Sequence, residues 1–136
     1  MKDPYNPTNE ELEAWARTPG AIWPDQDWNI IVAEDHHVDL FLRLAADPTV
    51  ANRDAMLDFL YAYVGEVARG CREAERIAKV GELVERARTS ALDDVRTWAQ
   101  RAAEVLANSG AAPPAHEIDR ETYDFWFTGG WRSRAM

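Results

Sequence analysis

Glu34, Asp35, His36 and His37 stand in a row in "AEDHHVDLFL", and the chain has one other histidine, His116. Two imidazoles beside carboxylates are a donor set for a transition metal or for proton transfer. The spacing argues against both on a regular helix. Consecutive helical residues point about 100° apart, so His36 and His37 do not readily share one ion. Helical zinc sites use i, i+4, as in H-E-x-x-H. Four residues beyond His36 is Leu40, and four beyond His37 is Phe41. Asp35 and Asp39 are four apart, and Asp39 is spaced to pair in solvent with Arg43. The stretch therefore reads as the polar opening of a helix that turns apolar at Val38, with His37 at the edge of the core. Neither a metal nor another cofactor is expected. A metal-dependent enzyme built on Asp35, His36, His37 and Asp39 is the alternative.

Asp35-His36-His37 resembles the signature tripeptide of the DHH phosphoesterase family. That family also needs aspartate-rich metal motifs on an α/β scaffold. A helical chain of 136 residues does not supply them, so the resemblance stops at three residues. Other catalytic patterns are missing. Cys71 has Arg69 and Arg72 beside it, which favours a thiolate, but it continues the Val64, Val67 stripe and reads as a buried structural thiol. Ser90 and Ser109 sit at a helix start and a helix end, without a glycine-bracketed elbow. The seven glycines never form GxxxxGK or GxGxxG, so no phosphate loop is present. No catalytic residue is assigned.

Charge and aromatics say more. The net charge is −9. Residues 1–58 carry 12 acids and 4 bases, while residues 59–136 carry 12 acids and 11 bases, so the excess lies in the first part. Phosphate contacts need clustered Lys and Arg, so nucleic acid is disfavoured and a basic protein partner is favoured. Six tryptophans are many for this length. Trp15, Trp98 and Trp126 fall on or beside apolar stripes and read as core. Trp23, Trp28 and Trp131 fall in loops or at helix edges, where they either cover the ends of the bundle or face a partner. Trp23 and Trp28 bracket the acidic "WPDQDW", and an aromatic anchor ringed by carboxylates suits a basic partner. The expected protein-binding residues are Trp23, Asp25, Asp27, Trp28, Glu34, Asp35 and Asp39.

These residues must be held by helices. Thr8 and Glu11 have capping-box spacing before the apolar Leu12, Trp15, Ala16, and Pro19-Gly20 ends that helix. Residues 30–32 are β-branched, but no second strand exists to pair with them. A helix beginning near Asp27 is expected instead. Val38, Phe41, Leu42 and Ala45 form one face, which stops at Asp47-Pro48. The run from Met56 to Val67 is apolar around much of its girth, which marks a central helix ending near Gly70. The next stripe is Ala74, Ile77, Val80, Val84 and Ala87. Gly81 inside it is read as permitting close helix approach. A further helix is expected from Ser90, capped with Asp93, through Leu92, Val95, Ala99, Ala102 and Leu106. Residues 111–115 form a proline-containing linker. Asp119 then caps a short helix carrying Tyr123, Trp126 and Phe127, broken by Gly129-Gly130 before Trp131.

The expected fold is all-α, a single domain over residues 1–136. It comprises a short N-terminal helix within 1–20, a helical core over 21–110, and a linker and aromatic clasp over 111–136. About five helices form a bundle or a short two-layer stack. No apolar run approaches the roughly 20 residues that span a bilayer, and no apolar leader stands at the start. A cytoplasmic, non-membrane protein is expected, and its one cysteine allows no internal disulfide. Three functions fit: a small acidic protein-binding module, in its specific form an immunity-type inhibitor of a basic partner; the metal-dependent enzyme above; and an oligomerising subunit associating through Trp131.

Overall fold

The computed structural model describes residues 1–70, 73–108 and 119–134. The helices are α1 (Asn9–Arg17), α2 (Trp28–Val32), α3 (Val38–Ala45), α4 (Arg53–Ala68), α5 (Ala74–Ala87), α6 (Asp93–Ala107) and α7 (Arg120–Phe127), followed by a 3₁₀ turn at Gly130–Arg134. No strand occurs among the described residues. Six helices precede the clasp, against an expectation of about five, because the segment before Val38 forms a separate α2 and a turn; the clasp helix itself, α7, was expected. Cys71, Ser109, His116 and the expected 111–115 linker lie outside the described residues.

α4 is the hub. A helix with apolar residues on every face must be covered on every face, and α4 packs against each of the other six helices. Met56, Leu57, Phe59, Leu60, Tyr63, Val64 and Val67 have no exposed surface. α3 lies along it most extensively, while α5 and α6 pair with each other alongside. One contiguous cluster of buried apolar side chains runs from Leu12 in α1 to Trp131. No described helix is long and apolar enough to cross a membrane.

Local signals place some of the boundaries. The Thr8 side chain accepts the Glu11 amide at 3.1 Å, and Glu11 accepts the Thr8 amide at 2.9 Å, which completes the capping box. Asp119 accepts the Thr122 amide at 2.7 Å and starts α7. Gly70 follows α4 at φ 108°, a value that favours glycine. The start of α6 differs from the expectation. Ser90 Oγ accepts the Leu92 amide at 3.2 Å, which uses it in the preceding turn, so α6 begins at Asp93 with Leu92 at the cap.

The C-terminal clasp forms as expected. α7 crosses α4 at Gly65, where a β-carbon would lie 2.7 Å from the Phe127 ring and 2.9 Å from Trp126 Cβ. Gly81 does not serve a close approach, because its nearest neighbour would be Leu106 Cδ1 at 4.0 Å. Beyond α7, the Trp131 ring stacks on Tyr61 at 4.5 Å and 4°. Its indole N–H donates to the buried Asp58 carboxylate at 2.8 Å, and Arg132 donates to the other Asp58 oxygen at 2.7 Å. Asn29 of α2 donates to the Phe127 carbonyl at 2.8 Å. Buried polar groups need such partners, and here the partners tie the tail to both α4 and α2.

Candidate functional site

The sequence-designated residues separate into two places. Trp23, Asp25 and Asp27 lie in the loop between α1 and α2. Glu34, Asp35, His36 and His37 form the turn between α2 and α3, and Asp39 opens α3.

The first loop is pinned from below. Trp15 Nε1 donates to the Ile22 carbonyl at 3.2 Å. Trp23 is half-buried, with its ring 5.7 Å from Phe59. It also walls an open cleft of ≈ 470 Å³ with Trp15, Val50, Asn52, Asp54 and Arg132. Asp25 Oδ1 accepts the Asp27 amide at 2.9 Å, and its other oxygen accepts the Tyr5 hydroxyl at 3.3 Å. The Asp25 charge, then its hydrogen bond, raise the Tyr5 pKa above the ordinary phenol value. Among the described residues, neither Asp25 nor Asp27 has a cationic partner, in contrast to Asp35 and Asp39. Ile22 is 83% exposed and Tyr5 56%. Two large apolar side chains are thus held in water near carboxylates that have no cationic partner among the described residues.

Trp28 does not belong to that surface. Its side chain is fully buried, its indole N–H donates to the Pro4 carbonyl at 2.6 Å, and its ring meets Trp15 edge-on at 4.8 Å. The alternation with Trp23 across "WPDQDW" hid this, because Trp28 is the first residue of α2 and turns inward. Trp131, expected at an edge and offered for self-association, is likewise spent on Tyr61 and Asp58 within the chain. The sequence pattern designates neither Tyr5 nor Ile22. The available signal was an aromatic and an isoleucine in Pro- and Asp-rich loops without helical period.

The second place departs from regular helix geometry. The His37 amide donates to the Glu34 carbonyl at 3.0 Å in a turn, and α3 begins only at Val38. The premise that the two imidazoles diverge fails here: their centroids are 3.9 Å apart. His36 Nδ1 lies 3.4 Å from Glu34 Oε2, and both side chains are exposed. His37 is buried, with Nδ1 2.7 Å from Asn9 Oδ1. Burial, then the neighbouring His36, hold its pKa below the ordinary imidazole value.

The aspartates point elsewhere. Asp35 accepts the Tyr63 hydroxyl at 2.6 Å and pairs with Arg76 at 3.6 Å, while Arg76 sits over the Tyr63 ring at 4.7 Å. Asp39 accepts Lys79 at 2.7 Å and Arg86 at 2.6 Å from α5. The expected Asp39–Arg43 pair does not form, because Arg43 reaches Glu13 of α1 at 2.8 Å. Asp35, His36, His37 and Asp39 therefore do not make one constellation. Glu34 is the carboxylate that joins the histidines.

Compared with family models, curated proteins and solved structures, the chain matches none.

Proposed function

We propose that the protein binds a basic protein partner through the face formed by Tyr5, Ile22, Trp23, Asp25 and Asp27, acting as a binding module rather than an enzyme. The observation that carries this reading is the unequal use of the acidic residues. Asp35 and Asp39 are consumed in bridges to α4 and α5. Asp25 and Asp27 keep their charge uncompensated beside exposed apolar side chains. Such a patch supplies both parts of an interface: apolar area for affinity, and charge that steers encounter and sets register. The Trp23 cleft offers a recess for a partner side chain. In its specific form the protein is an immunity-type inhibitor, small and acidic, occluding a basic nuclease-type toxin.

Affinity capture from the native cell, with wild type and an Ile22→Ser, Asp25→Asn, Asp27→Asn variant side by side, tests the reading. The expected result is a basic protein held by the wild type and lost by the variant. Its on-rate should fall about tenfold or more as salt rises from low to high. A partner retained by the variant, or an on-rate indifferent to salt, overturns the proposal.

A further inference from the structure

We propose that Glu34, His36 and His37 form a binding site for a zinc-type divalent ion. The site is separate from the docking face and does not depend on it. Each residue offers one ligand atom, and the three atoms lie within 4.8 Å of one another. Nitrogen and oxygen ligands sit about 2.0–2.2 Å from zinc, which places tetrahedral donors about 3.3–3.6 Å apart. His36 Nδ1 and Glu34 Oε2 already meet that spacing at 3.4 Å. The remaining closure is small, and the exposed Glu34 and His36 side chains are the ones free to make it.

Asn9 supplies a second, independent reason. Its side-chain N–H donates to the His36 carbonyl at 3.2 Å. That fixes the amide, so the oxygen is the atom facing His37 Nδ1 at 2.7 Å. An amide oxygen only accepts, so with the amide in this orientation Nδ1 is the donor and Nε2 is the nitrogen left to an ion. A histidine whose second nitrogen is held by a hydrogen-bond acceptor is the usual arrangement behind a metal ligand. The turn itself is braced: Asp35, inside it, is held by Tyr63 and Arg76, and His37 packs on Phe41 with centroids 6.1 Å apart. Rigid support of this kind lets a few side chains hold an ion.

Two imidazoles and one carboxylate suit zinc and its transition-metal neighbours, not calcium or magnesium, which take six or more oxygens. Three protein ligands leave a fourth position, and the exposure of Glu34 and His36 directs it to solvent.

The test is calorimetry of the full chain with zinc alone, with cobalt(II) absorption as a second readout of coordination. The expected result is one equivalent bound. Affinity should fall at least tenfold in His36→Ala and in Glu34→Gln, with the visible cobalt bands lost. Asn9→Ala, a positioning change, should weaken binding about tenfold, and Asn9→Asp, which keeps an acceptor on Nδ1, should restore it. His116→Ala should change nothing. The proposal is overturned if zinc does not bind, if binding survives His36→Ala and Glu34→Gln, or if it is lost on His116→Ala instead.

Discussion

Gly65 and Gly81 both sit inside helices, and they do opposite things. At Gly65 the Phe127 ring and Trp126 Cβ occupy the space a methyl group would take. Gly65→Ala is therefore expected to destabilise by about 1–3 kcal/mol through overpacking. That outweighs the helix propensity gain of about 1 kcal/mol. At Gly81 the space is open, so Gly81→Ala is expected to stabilise by up to about 1 kcal/mol. Urea unfolding of the two variants checks both signs. Sequence alone marked the wrong glycine as the close approach, because a glycine's reason lies in what packs on it, here a helix some sixty positions downstream. Tyr63 carries a pH effect of its own. Burial, then its bond to Asp35, raise the phenol pKa. A raised folded pKa means the contribution is intact below the unfolded value of about 10 and is lost as pH climbs above it. Stability should fall more steeply above about pH 10 in the wild type than in Tyr63→Phe, as read by urea unfolding between neutral and alkaline pH.

At the scale of elements, α3 and α5 are braced by Asp39 between Lys79 and Arg86. Partial burial pushes the Asp39 pKa up, but the hydrogen bonds from the two cations outweigh it and the net shift is downward. A lowered folded pKa gives stability that is present above the unfolded value of about 3.9 and is lost as pH falls through the folded one. The carboxylate is half-exposed, so Asp39→Asn should cost no more than about 1 kcal/mol at pH 7. The difference from wild type should shrink as pH falls below the unfolded value of about 3.9, as followed by thermal unfolding in acid. Element positions were legible where the cause is local. Thr8-x-x-Glu11, Asp119 and Pro48 act within a few residues, and the structure follows them. Partners across elements were not. Asp39 looked towards Arg43 because i+4 is the only neighbour a sequence displays, whereas the α5 cations arrive by tertiary packing. The same gap explains His36 and His37. Divergence of the two rings holds on a helix, but residues 33–37 are not helical, and Asp35 within them is tied to α4 and α5.

For the whole molecule, the all-helical class and the clasp followed from composition and period, since six tryptophans and a glycine-broken aromatic tail have few places to go. The use of each aromatic did not follow: burial separates Trp28 and Trp131 from Trp23, and burial belongs to the assembled fold. Trp131 joins stacking on Tyr61 to the bond with buried Asp58. Trp131→Ala should cost about 3–5 kcal/mol, measurable as a large drop in the urea midpoint. Asp58→Ala should cost about 1–3 kcal/mol by leaving the indole N–H without its acceptor.

The contact between Gly65 and Phe127 also sets an order of events as the chain is made. Translation runs from the N-terminus, and 62 residues separate the two positions. At about 5–20 residues per second, α4 waits roughly 3–12 s for the segment that covers it. Throughout that interval one side of the central helix has no cover of its own. The newborn chain is thus open to wrong apolar contacts between the emergence of α4 and the arrival of α7.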